Sequence, residues 1–336
     1  MMRGIGMKLR IAILAVLGGA LTFYLVTHAG LHAVLAAATS VGWGGFAILC
    51  VAALLLFLLL GPAWRVLMPR STRLGWSVFI WARMVRDAAS EALPVSQVGG
   101  MAIGVRAAVL HGVAPPLAVA SMVVDVTTEM LAQIAYVALG VLILSLRAAR
   151  TPLTPSFTLV FSVGLLLAAA AGGVFLALQR YGHHWVASKL VGRVLPASAK
   201  FTAAAAAALD AIYRARLHVI LSVVLHFCEW VAGAAGTWIA FRLVGAPVDF
   251  PAAIAMESLV YATRSAAFLV PNALGVQEAA YAMLAPVVGV GKEFALAVSL
   301  LKRARDVAIG IPILLIWQAV EGRRALAGKN PDNGSS

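Results

Sequence analysis

The sequence predicts an all-α polytopic membrane protein, and three observations carry that reading. The 336 residues are 62% hydrophobic and only 12% charged, against roughly 45–50% apolar and about 25% charged in soluble domains. Mean hydropathy is +0.96, and the apolar residues are gathered into runs of about twenty, the length at which a helix crosses a bilayer. A soluble globule is therefore excluded. The 26 Lys and Arg against 13 Asp and Glu give a net charge of +13, which in such a chain is first a topology signal. No nucleic-acid partner is expected.

Arg3, Lys8 and Arg10 introduce the first apolar run, 9–27. It is as long as a full span and is not followed by a cleavage pattern and a soluble domain, so it reads as a retained helix rather than a signal peptide. Five further spans are clear: 43–61, 117–146, 157–178, 217–241 and 294–320. Basic residues between them number three at the N-terminus, none in 28–42, three in 62–73, two around Ala148, six in 179–216, one in 242–252 and three in the C-terminal tail. Alternating sides gives 15 cytoplasmic against 3 outside, which places both termini in the cytoplasm.

That alternation holds only if the stretches 74–116 and 253–293 return to the side they came from, as full helix pairs or as re-entrant, broken pairs. In the first, Pro94 is followed by Gly99 and then by Gly112-Val113; in the second, Pro271 is followed by Gly275 and then by Gly289-Val290, with the Pro-to-Gly-Val separation 18 in both. The two enter from opposite faces, so the halves 1–146 and 217–320 are expected to form an inverted-topology repeat. In such folds substrate sits near the midplane, beside broken helices. The whole of 1–336 reads as one integral membrane domain, in which 179–216 is a basic cytoplasmic connector and 328–336 a disordered tail. The connector is expected to be either an amphipathic helix against anionic headgroups or a solvated linker.

Eight acids fall at or near membrane depth: Asp87, Glu91, Asp125, Glu129, Glu229, Glu257, Glu278 and Asp306. Charge there is costly, at least ~2.5 kcal/mol at the bilayer centre, so such groups face a cavity or pair with a base. Helical spacing suggests Arg83 with Asp87, Glu257 with Arg264, and Arg303 with Asp306. The sharpest segment is Pro271-Asn272-Ala273-Leu274-Gly275-Val276-Gln277-Glu278, where proline and glycine interrupt the helix and Asn272 can cap its restart. Its freed N–H groups would form an anion site, with Glu278 near the first turn either paired or orienting Arg264. Leu93-Pro94-Val95-Ser96-Gln97 is the matching break, with Arg106 downstream. Each break reads equally as a structural kink alone. Cys50 and Cys228 sit in apolar runs, where no disulfide is expected. No metal site, cofactor motif or soluble-type catalytic motif is visible.

The segment Leu93 to Gly100, the run from Glu257 through Tyr261 and Arg264 to Phe268, Pro271 to Glu278, and Ser299 to Asp306 with Lys302, Arg303 and Arg305 resemble the flippase-like membrane proteins related to the transmembrane domain of lysylphosphatidylglycerol synthase. The hopanoid-associated branch is the most similar. The resemblance runs over nearly the whole chain. It implies a protein of the bacterial inner membrane that moves a hopanoid or phospholipid, for that branch toward the outer membrane. It also implies that Arg264, Asn272, Gly275, Gln277, Glu278, Arg303 and Asp306 line a polar lipid cavity. Glu257, Ser96, Gln97 and Arg106 join them as binding candidates, with Pro94, Gly99 and Pro271 as structural breaks. The synthase's aminoacyl transfer belongs to a soluble C-terminal domain, whereas this chain ends about sixteen residues after its last span, so a non-enzymatic carrier is expected. Membrane lipids are the expected partners, with hopanoid-pathway proteins and a homo-oligomer left open. The competing reading is a scaffold that docks lipid or hopanoid enzymes through 179–216.

Overall fold

A computed structural model describes residues 16, 20, 23–24, 27, 31–92, 96–148, 199–267 and 270–327. Within these the chain forms ten α-helices and two short 3-10 turns: α1 (Leu31–Thr39), α2 (Gly42–Arg65), α3 (Trp76–Ala92), α4 (Ser96–Leu110), α5 (Pro115–Ala148), α6 (Ala199–Arg214), α7 (Arg216–Leu243), α8 (Phe250–Ala266), α9 (Val276–Leu284) and α10 (Lys292–Ala327), with the turns at Pro271–Ala273 and Ala285–Val288. Three helices are long and apolar enough to cross a membrane, Gly42–Arg65, Pro115–Arg147 and Arg216–Leu243. They coincide with the predicted spans 43–61, 117–146 and 217–241. The predicted span 294–320 lies inside α10, where Lys302, Arg303, Arg305 and Asp306 interrupt the apolar run. The expected spans 9–27 (apart from its few described residues) and 157–178, the connector's 179–198 and the tail 328–336 lie outside the described residues. The segment 28–42, read as a loop, contains α1.

The second predicted interruption is present as a helix end, and the first falls on residues 93–95, outside the described residues. The described part of α3 reaches Ala92, and α4 begins at Ser96. α3 and α4 then pack as a hairpin. α8 stops at Ala266, and Asn272 and Ala273 take left-handed backbone at φ 48° and 45° before α9 restarts. The two Gly-Val pairs end their helices alike. Gly112 and Gly289 have φ of 100° and 77°, and the following valine N–H bonds back five residues, Val113 to Ala108 O at 3.2 Å and Val290 to Ala285 O at 3.0 Å. This is the glycine-terminated Schellman cap.

Packing separates into two apolar cores at opposite ends of the long helices. One gathers Leu49, Leu144, Phe241, Met256, Tyr281 and Leu296; the other gathers Trp64, Phe79, Val85, Ala107, Met122 and Ile313. α2, α5 and α10 each contribute to both, so the polar residues between, 125–133 on α5 and 302–306 on α10, are held in a layer midway along the bundle. Of the connector, only 199–216 lies within the described residues, and most of it forms α6. Its apolar residues Leu209 and Ile212 pack with Ala120 and Val124 of α5, so its apolar face is covered by protein.

Candidate functional site

On α3, Arg83, Arg86 and Glu91, and on α5, Asp125, Glu129 and Gln133, recur at three- to five-residue intervals, so each set forms a polar stripe on one side of its helix. The stripes face one another. The Arg83 guanidinium reaches Asp87 at 3.0 Å, Asp125 at 2.8 Å and Glu129 at 2.7 Å; Arg86 reaches Asp125 at 3.3 Å and Glu129 at 2.9 Å. Arg83, Arg86 and Asp125 are buried, and His226 of α7 meets Asp125 Oδ1 through Nε2 at 3.1 Å. Planar five-donor guanidiniums suit this lattice, since the two arginines together donate to the Asp87, Asp125 and Glu129 carboxylates.

The second broken stretch builds its own lattice. Lys302 of α10 pairs with buried Glu257 of α8 and donates to Thr237 Oγ1 at 3.2 Å, while Tyr281 donates to Glu257 Oε2 at 2.6 Å. Glu278 pairs with Arg303, accepts Ser299 Oγ–H at 3.1 Å and accepts the Gly275 N–H at 2.9 Å. Arg303 also donates to the Asn272 and Ala273 carbonyls at 3.1 and 3.2 Å, which the left-handed turn points toward it. Gln277 Nε2 donates to Ser299 Oγ at 2.9 Å. Tyr261 lies between two cations, with Arg264 Cζ 5.4 Å and Lys302 Nζ 5.3 Å from its ring centroid.

These contacts correct three expectations. The helix restart at 276 is not an open anion site, because the protein's own Glu278 already takes the Gly275 N–H. Glu257 pairs with Lys302 rather than Arg264, since seven residues of helix separate the latter by about 10 Å of rise. Asp306 pairs with the adjacent Arg305 at 2.7 Å, not with Arg303. The expected Arg83–Asp87 pair is present.

Between the two lattices lies a cavity of about 270 Å³. Arg86, Ser90 and Glu91 near the end of α3, Glu129, Met130 and Gln133 midway along α5, and Arg264, Ser265, Val270 and Asn272 around the second break line it. Arg264 Nη2 donates to Glu91 Oε1 at 3.0 Å and to Asn272 Oδ1 at 3.3 Å, and Gln133 Nε2 donates to Ser265 Oγ at 2.7 Å. Both broken stretches therefore open onto one polar space. Of the sequence candidates, Arg264 and Asn272 line it. Gly275, Gln277, Glu278, Glu257 and Arg303 form the lattice beside it, and Asp306 is held by Arg305. Arg106 lies elsewhere, half-exposed on α4 and bonded to Glu321 of α10 at 2.7 Å. Ser96, Gln97 and Gly99 open α4, Pro271 opens the 3-10 turn, and Pro94 lies outside the described residues. Among the described residues no group of three or more His, Cys, Asp or Glu is placed to hold a metal ion.

The site residues not singled out from sequence are Arg86, Ser90, Gln133 and Ser265, while Glu91 and Glu129 were noted there only as acids at membrane depth. For Gln133 the signal was the four-residue recurrence Asp125, Glu129, Gln133 within an otherwise apolar helix.

Residues 9–313 match the family model described as the lysylphosphatidylglycerol synthase TM region. No curated protein and no solved structure matches the chain.

Proposed function

Because this chain belongs to the lysylphosphatidylglycerol synthase transmembrane-region family, whose name ties it to membrane lipid, we propose that it is a lipid carrier of flippase type that holds a headgroup in the cavity between its two broken stretches. The observation that carries this reading is the cavity itself. It brings Arg86, Glu91, Gln133 and Arg264 together beside the middle of α5, a helix long and apolar enough to cross a bilayer. A headgroup crossing the hydrocarbon layer needs such replacement for its hydration, while its tails can remain in lipid. At about 270 Å³ the space falls just under the ~300 Å³ lower range of whole-ligand pockets, which suits a headgroup rather than a complete lipid.

The carrier is multi-pass in the bacterial inner membrane with both termini cytoplasmic, its halves form an inverted repeat, and its cargo is a hopanoid or phospholipid moved toward the outer membrane. It acts without chemistry on the lipid. The test is the transbilayer movement of acyl-labelled phospholipid and labelled hopanoid in proteoliposomes, for wild type and for Arg264→Ala combined with Gln133→Leu, after both elute as folded species. Wild type should accelerate movement and the double variant should not. No acceleration of any lipid by wild type would overturn the reading.

A further inference from the structure

Resting on that reading, we propose that the cavity takes a zwitterionic phospholipid headgroup, one phosphate and one primary ammonium, in preference to an anionic one. The charged residues lining it are Arg86, Arg264, Glu91 and Glu129, two of each sign. Each is already ion-paired, so the lining holds no spare charge. A headgroup with net charge would find no counter-charge to spare in this lining, whose own ions are already paired.

Three hydrogen-bonding atoms in this lining are buried and lack partners among the described residues, Arg86 Nε, Glu91 Oε2 and Ser90 Oγ. The Asp87 Oδ1 oxygen stands 3.8 Å from the first, beyond hydrogen-bond reach. The first is a donor on a cation, the second an acceptor on an anion, and the third a neutral hydroxyl that serves in either role. A phosphate oxygen satisfies the first and an ammonium N–H the second, both as charge-assisted bonds. An uncharged polyol makes only the weaker neutral bonds, and a phosphoglycerol headgroup leaves its negative charge unmatched.

The test uses the full chain in proteoliposomes with acyl-labelled phosphatidylethanolamine and phosphatidylglycerol of matched tails. The first should move at least about tenfold faster, equivalent to about 1.4 kcal/mol. Glu91→Gln, which leaves the lining with one excess positive charge, should reverse the order. As a measurement independent of that variant, glycerophosphoethanolamine should raise the Tm of the detergent-solubilised wild type and glycerol 3-phosphate should not. Equal acceleration of both lipids, faster movement of phosphatidylglycerol, or a hopanoid as the only lipid moved overturns the zwitterion assignment while lipid translocation stands. Movement of no lipid at all overturns the carrier reading and this assignment with it.

Discussion

Arg264 and Glu91, 173 positions apart, meet at 3.0 Å across the seam between the second broken stretch and the first. The contact is half-buried, with the two side chains 15% and 36% exposed, so it is neither a screened surface pair nor a sealed core pair. Glu91→Ala and Arg264→Ala should each destabilise, and the double variant should cost less than their sum. The expected coupling is about 0.5–3 kcal/mol, the range for residues in one network. A double-mutant cycle of thermal unfolding in detergent measures it, and strict additivity would mean that the bond does not hold the seam together.

Asp125 accepts from two guanidiniums and meets His226, with no exposure to solvent. Asp125→Asn leaves Arg83 and Arg86 short of one buried negative charge. It should lower stability by about 3–5 kcal/mol, as expected when one partner of a buried pair is removed. Arg106→Gln, which breaks the exposed Arg106–Glu321 pair, should cost at most about 1 kcal/mol. Unfolding curves of the two variants side by side give the comparison.

How much of this was legible in the sequence follows from which forces are local. The spans at α2, α5 and α7 follow from hydropathy, and the interruption at 271 from proline acting on its neighbour's backbone. The Gly-Val turns follow from a cap that needs only one left-handed residue. Pairing was not local. Helical spacing put Arg264 with Glu257 and Arg303 with Asp306, yet such surface pairs are worth only about 0.2–0.5 kcal/mol. Between two apolar cores a carboxylate bonds to whatever base faces the same enclosed space. Glu257 found Lys302, and Glu278 found Arg303 together with the Gly275 N–H. That choice depends on how α8, α9 and α10 pack, which no spacing rule along one helix encodes.

Asp249 caps α8, accepting the Ala252 N–H at 2.8 Å and pairing with Arg147 at the end of α5. Burial raises its carboxyl, but the hydrogen bonds from Arg147 and from the Ala252 backbone outweigh that and hold it below the usual carboxylate value. A lowered folded pKa contributes stability above the unfolded value of about 3.9 and loses it as pH falls through the folded one. Asp249→Asn keeps the cap and removes the charge. Its deficit relative to wild type should be constant from pH 8 to about pH 5, begin to shrink near pH 4, and vanish only once pH has fallen through the lowered folded value. Asp249→Ala should cost a further ~1 kcal/mol at every pH, because it removes the cap itself. Thermal unfolding of the three proteins across that range is the measurement.

α3 carries Arg83, Arg86 and Glu91, and it is wedged between two glycines. A Cβ at Gly61 of α2 would stand 2.8 Å from the Ile80 backbone, and one at Gly100 of α4 would stand 2.6 Å from the Arg86 carbonyl oxygen. Neither obstacle is a flexible side-chain tip, so α3 itself must shift. Alanine at either position should cost about 1–3 kcal/mol from overpacking, despite the ~1 kcal/mol that replacing glycine gains in a helix interior. At Gly236 of α7 nothing lies within 4 Å of the added carbon, so there alanine should be neutral or stabilising by up to ~1 kcal/mol. A displaced α3 also carries Arg86 and Glu91 away from the cavity, so Gly100→Ala should slow lipid movement in protein that still folds, whereas Gly236→Ala should not. Equal Tm shifts for Gly61→Ala, Gly100→Ala and Gly236→Ala would mean that α3 is not seated against α2 and α4 at these contacts.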